Sequence, residues 1–131
     1  MTLNEDTLLF IREHRQDDVR SLALQARKYP AVEMPAAITQ IAGWQVAKEK
    51  VPSWAAKEEL LYPVHLSLEQ CSSEITARYK AEIITKAGSH HNFTDLTGGF
   101  GIDCAFLSSC FQQATYVERQ EALCEIATHN F

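Results

Sequence analysis

No proline follows Pro63; all four prolines (Pro30, Pro35, Pro52, Pro63) lie in the first half of the chain. Glycine is scarce and placed the opposite way, with only Gly43 before Gly88 and with Gly98, Gly99 and Gly101 crowded together. Basic residues nearly vanish beyond residue 88, where Arg119 stands alone against Asp95, Asp103, Glu118, Glu121 and Glu125. That acidic segment carries no phosphate-gripping footprint of the usual nucleic-acid kind. No apolar run approaches the roughly 18 residues of a bilayer span. The opening MTLNEDTLLFIREHR has acids where a secretory leader has a basic stretch, so a cytoplasmic setting is expected. Cys71, Cys104, Cys110 and Cys124 form no CxxC pair and no zinc-ligand spacing, which points to reduced, packing cysteines and no metal site.

What is present is the composition of an ordinary globular chain: 131 residues, 46% hydrophobic, 22% charged, net charge −5. That is room for one modest domain, or a domain and part of another. The opposed placement of proline and glycine marks two regions, 1–88 and 89–131. The first is expected to be all-helical. Asn4 or Asp6 can cap a helix through Leu8–Ile11, and Asp17 can open another carrying Val19, Leu22, Ala23 and Ala26. A third begins at Pro35 with Ile38, Ile41, Ala42 and Val46 inward, and Ser53 can cap a short fourth. Ser67-Leu68-Glu69-Gln70 fits a capping box for a long helix to Gly88. On that helix Leu68, Cys71, Ile75, Tyr79 and Ile83 share one face. His90 and His91 are expected to be solvated, Trp44 and Trp54 to anchor the core, and Arg78, Lys80 and Lys86 to form a solvated face.

The second region changes period. His91–Leu96 reads as a strand running into Thr97-Gly98-Gly99-Phe100-Gly101, Ile102–Cys110 as a helix, Gln113–Glu118 as a strand and Gln120–Asn130 as a helix. This βαβα order implies a parallel sheet. The fold class is therefore α-rich α/β: a helical N-terminal region followed by the first βαβα of an incomplete Rossmann-like domain. A glycine turn between strand and helix allows positive φ and offers unpaired amides to a polar ligand. Glu118, after the next strand, points into the same crevice and suits a ribose diol. Gly99-Phe100-Gly101-Ile102-Asp103-Cys104 approaches a dinucleotide fingerprint, but Cys104 replaces its last small residue. Asp95-Leu96-Thr97-Gly98-Gly99-Phe100-Gly101 instead matches an acid followed by a glycine loop, with Thr97 in place of one glycine. A carboxylate there suits the cationic amino and sulfonium groups of S-adenosylmethionine.

The string Asp95–Asp103, with Tyr116-Val117-Glu118-Arg119-Gln120 and the ending His129-Asn130-Phe131, resembles a bacterial family assigned as class I methyltransferases. Its members carry a helical N-terminal region and a downstream THUMP-like domain, and are regarded as RNA methyltransferases. The resemblance spans the chain, with its specific motifs in residues 93–131. It implies that Asp95, Thr97, Gly98, Gly99 and Gly101 line the methionine end of the cofactor, that Glu118 binds the ribose, and that tRNA or rRNA is the substrate. Only two strands can be placed, and the N/D-P-P-Y/F motif of amino-group methylases is absent. The chain is accordingly expected to be a truncated piece of a longer methyltransferase, inactive by itself. The outer edge of strand 92–96 is expected to recruit a second copy or to be covered by the N-terminal helices. The alternatives are the start of an NAD-type oxidoreductase and a non-catalytic helical interaction module.

Overall fold

The architecture follows from a computed structural model that describes residues 2–88 and 90–131. Helix α1, Glu5–His14, starts where Asn4 Oδ1 accepts the Thr7 amide at 2.8 Å. Helix α2 is short, Val19–Ala23, and its cap is Asp18 rather than Asp17: Asp18 Oδ2 accepts the Ser21 amide at 2.9 Å. Asp17 lies 2.7 Å from His14 Nδ1 instead. The expected continuation to Ala26 gives way to a separate 3₁₀ turn, Ala26–Lys28. Helix α3, Met34–Lys50, holds proline in its first turn, where a missing amide proton costs nothing. Phe10, Leu22, Met34, Ala37 and Ile41 from these helices form one buried cluster.

Helix α4, Pro52–Ala55, follows at once. Ser53 lies inside it and does not cap it; its amide donates to Glu74 Oε1 at 2.9 Å. The expected long helix is also divided. Helix α5, His65–Gln70, has Ser67 in its interior and ends at an extended Cys71, and α6, Glu74–Lys86, starts from a Ser73 cap on the Thr76 amide. Ser73 caps the Thr76 amide while the Ser72 hydroxyl turns to Asp103, and these side-chain bonds accompany the break in the run. The consequence is a rotation of the helix face. Ile75, Tyr79 and Ile83 are 83%, 62% and 49% exposed, while Ala77 is fully buried. Helix α6 lies against α7, Ile102–Ser108, and a small residue lets the two backbones approach.

Strand β1, Asn92–Asp95, and strand β2, Gln113–Tyr116, pair in parallel with Phe93 opposite Ala114 and Asp95 opposite Tyr116. The ladder continues past both strand ends, with Val117 N–H donating to Asp95 O and Gly98 N–H to Val117 O at 2.9 and 2.8 Å. Both strands are shorter than expected; beyond them the Thr97 amide turns to Asp95 Oδ1, and the Glu118 carboxylate accepts the Gly99 and Gln120 amides. The outer edge of β1 carries no strand among the described residues; its chief neighbours are β2 and α7. Helix α8, Glu121–Asn130, closes the unit. A second buried cluster joins Val51, Trp54, Leu61, Tyr62, Leu68 and Ala77 to Phe100, Ile102 and Ile126, so the two sequence regions share one core. Paired hydrogen bonds between the Asn130 amide and the Leu61 backbone, both 2.9 Å, fix α8 to the helical region. No helix among the described residues is long and apolar enough to cross a membrane.

Candidate functional site

Asp95 ends β1, and Glu118 stands two residues beyond the end of β2. Parallel pairing brings the two carboxylates to the same end of the sheet, the position at which α/β folds bind ligands. Between them the chain turns through Thr97, Gly98, Gly99 and Phe100 to Gly101, which sets the first turn of α7 with φ +91°. All six residues expected from the sequence (Asp95, Thr97, Gly98, Gly99, Gly101 and Glu118) line one open cleft of about 480 Å³. That size falls within the range of small-molecule sites.

The hydrogen bonds are specific. Asp95 Oδ1 accepts the Thr97 amide at 3.1 Å, tightening the turn directly after the strand. Glu118 uses both oxygens: Oε1 accepts from Gln120 N–H and Oε2 from Gly99 N–H, each at 2.9 Å. Those two amides hold its carboxyl below the ordinary carboxylate value. A carboxylate can accept more than two hydrogen bonds, so Glu118, which lines the cleft, has capacity left for a ligand hydroxyl. Gly101 has no side chain to cap α7, so the early amides of that helix face the cleft end without a side-chain partner.

Gly99 and Gly101 have the positive φ expected of the turn, and two of the glycines are also required by packing. A methyl group on Gly98 would sit 2.2 Å from the Tyr116 ring, and one on Gly101 would sit 2.5 Å from the Phe131 ring. An added side chain at either position would meet the protein's own aromatics. Gly99, with φ +55°, has nothing nearer than 3.9 Å. Cys104 is buried in α7, and burial, then Asp95, pushes its thiol up. All four cysteines are free.

Sequence reasoning missed the opposite wall, which comes from the helical region. Ser67, Gln70, Cys71, Ser72 and Lys80 all line the cleft. Lys80 leaves the solvated face assigned to it and bonds Ser72 Oγ at 3.0 Å and Asp103 Oδ2 at 3.1 Å; Ser72 Oγ also donates to Asp103 Oδ2 at 2.9 Å. Asp103 Oδ1 is buried and has no hydrogen-bond partner. Only the break between α5 and α6 brings these groups to the glycine loop, and a continuous helix had been expected there. Arg78 lies over the Phe106 ring at 4.9 Å, and Lys86 pairs with Glu82 at 3.2 Å. Trp54 anchors the core against Phe100, and Trp44, half-buried beneath Arg15, packs against the same core. The charged lining of the cleft is thus three carboxylates, Asp95, Asp103 and Glu118, against one ammonium, Lys80.

No family model and no curated protein matches the chain. Among solved structures it is similar to a protein from Porphyromonas gingivalis W83 described as a "putative methyltransferase", at 31% identity and a TM-score of 0.77. The match covers 99% of this chain and 33% of that one, so the chain spans about a third of the length of the protein it resembles.

Proposed function

We propose that the cleft is the cofactor half of an S-adenosylmethionine-dependent methyltransferase. The observation that carries this reading is the charge of the lining, three carboxylates to one ammonium around a glycine loop. A cofactor bearing an ammonium and a sulfonium gains from that field, whereas the pyrophosphate of a nicotinamide dinucleotide is repelled by it. The residues present fit the first. Asp95 faces the cationic end, the early amides of α7 suit a carboxylate, and Glu118 has capacity left for a ribose hydroxyl. The bound cofactor supplies an electrophilic methyl group for direct displacement. The chain's own residues bind and orient, which is the main contribution a protein makes to such a step. The methyltransferase description of the similar structure supports the same class.

For the whole protein the proposed substrate is RNA, a reading that rests on the family resemblance of the Asp95–Asp103 and Tyr116–Gln120 strings. Calorimetric titration tests the cofactor assignment directly. S-adenosylhomocysteine is expected to bind and NADH to give no heat. Asp95→Asn and Glu118→Gln should each weaken binding about tenfold, the value of one charge-assisted contact. Binding of NADH, or equal affinity in both variants and the parent, overturns the assignment.

A further inference from the structure

We propose that Tyr116 is the positioning residue of the glycine loop, clamping Gly99 together with Glu118 in the shape the ligand meets; this rests on the cofactor reading given above. Tyr116 and Glu118 stand two residues apart in extended chain, so their side chains leave on the same side. Both reach the same glycine. The Tyr116 hydroxyl donates to Gly99 O at 2.6 Å, and Glu118 Oε2 accepts Gly99 N–H at 2.9 Å.

Gly99 needs such a hold. It has positive φ, and nothing stands within ordinary contact distance of where its side chain would be, apart from Thr97 O at 3.9 Å. The peptide before Gly99 is held by Glu118 on its N–H and by the Gly101 amide on Gly98 O, and the peptide after it by the Tyr116 hydroxyl on Gly99 O. The Tyr116 ring also lies flush on Gly98, and its edge meets Phe131 at a centroid distance of 6.3 Å. Phe131 meets Trp54 at 6.0 Å, and Trp54 meets Phe100 at 5.1 Å. The back of the loop is thus an aromatic plate whose far end, Trp54, belongs to the helical region. Burial, then the neighbouring acids, pushes the Tyr116 phenol up to about 12, so it stays a proton donor at any working pH.

The clamp makes the loop rigid before ligand arrives, which lowers the ordering cost of binding. It also makes Tyr116 and Glu118 interdependent, because each acts on one peptide of the same residue. A Tyr116→Phe variant keeps the ring and removes only the hydroxyl. Amide hydrogen exchange by NMR on the unliganded protein is the first readout. Exchange at Gly99 should accelerate about tenfold in Tyr116→Phe, roughly what one lost hydrogen bond allows, while the buried amides of α8 keep their rates. Unchanged exchange at Gly99, or equal acceleration throughout α8, overturns the clamp.

The second readout is S-adenosylhomocysteine affinity in a double-mutant cycle of Tyr116→Phe with Glu118→Gln. Tyr116→Phe alone is expected to weaken binding about five- to tenfold, and the double variant to fall short of the product of the single effects. Strictly multiplicative losses, or an unaltered affinity in Tyr116→Phe, overturn the positioning role. Absence of binding by the unsubstituted protein removes the cofactor reading instead, and the exchange experiment then decides the clamp by itself.

Discussion

Replacing Gly98 by alanine should destabilise the protein more than the same change at Gly99 or Gly101, although only the latter two have positive φ. At Gly98 the added methyl would lie 2.2, 2.5 and 2.7 Å from three atoms of the Tyr116 ring. The ring cannot swing aside without breaking its 2.6 Å bond to Gly99 O. Overpacking costs about 1–3 kcal/mol and the lost hydrogen bond about 1 kcal/mol, for a total of about 2–4 kcal/mol. At Gly101 the contact is the tip of Phe131, which is 61% exposed and free to turn outward. The cost there reduces to the left-handed backbone, about 1–2 kcal/mol. At Gly99 the same backbone term stands alone. Urea unfolding of the three variants, with unchanged slopes, measures the differences. A Gly98→Ala variant that loses less stability than Gly99→Ala would refute the claim that Tyr116 is held in place.

Four further outcomes follow from the structure. Ile75→Ser and Tyr79→Ser should each change stability by less than about 0.5 kcal/mol, whereas Ala77→Leu should cost about 1–3 kcal/mol by prising α6 from α7; thermal melts that rank these in the reverse order would restore the helix face expected from the sequence. Lys80→Met should cost only about 1 kcal/mol, since Lys80 and Asp103 are 44% and 31% exposed and water screens the pair; a chemical denaturation loss several times larger would contradict that screening. Glu118 has a folded-state pKa below its ordinary value, so its contribution is present at neutral pH and disappears as pH falls through the lowered value. Urea midpoints at neutral and acid pH should accordingly converge in Glu118→Gln relative to the parent, and an identical acid loss in both would exclude this source. The unpaired outer edge of β1 should support self-association, seen as a concentration-dependent mass in light scattering; a constant monomer mass would argue against it.

The glycine-loop wall of the cleft was legible in the sequence because its parts are local. An acid, a glycine cluster and a second acid after a β-rich run lie within about one βαβ unit, and strand pairing alone brings them together. The start of α1 was legible as one of two nearby candidates, Asn4 and Asp6, of which Asn4 caps the helix. At α2 the expected cap, Asp17, gave way to its neighbour Asp18, one residue nearer the helix. The largest departure came at Ser72 and Ser73, where a run whose apolar spacing read as continuous is broken. That break rotated Ile75, Tyr79 and Ile83 outward and delivered Ser72 and Lys80 to Asp103. Contacts of this kind join residues 23 and 31 positions apart and leave no periodic trace in the chain. The aromatic backing of the glycines was equally hidden, since nothing in Tyr116 or Phe131 announces which backbone it will cover.

The buried cluster that spans both regions bears on how the molecule comes apart. Phe100, Ile102 and Ile126 find their packing partners in Trp54, Leu68 and Ala77, and the Asn130–Leu61 pairing closes a loop of 69 residues. The βαβα segment buries Phe100, Ile102 and Ile126 only against the helical region, whereas that region also holds its own cluster around Phe10 and Ile41, so the sheet should not outlast the helices around Trp54. Contacts of such long sequence separation also slow the search for the native state, because the entropy of closure must be met before any packing is gained. A nascent chain that has emerged only as far as Leu68 therefore exposes Trp54, Leu61 and Tyr62 until Phe100, Ile102 and Ile126 follow.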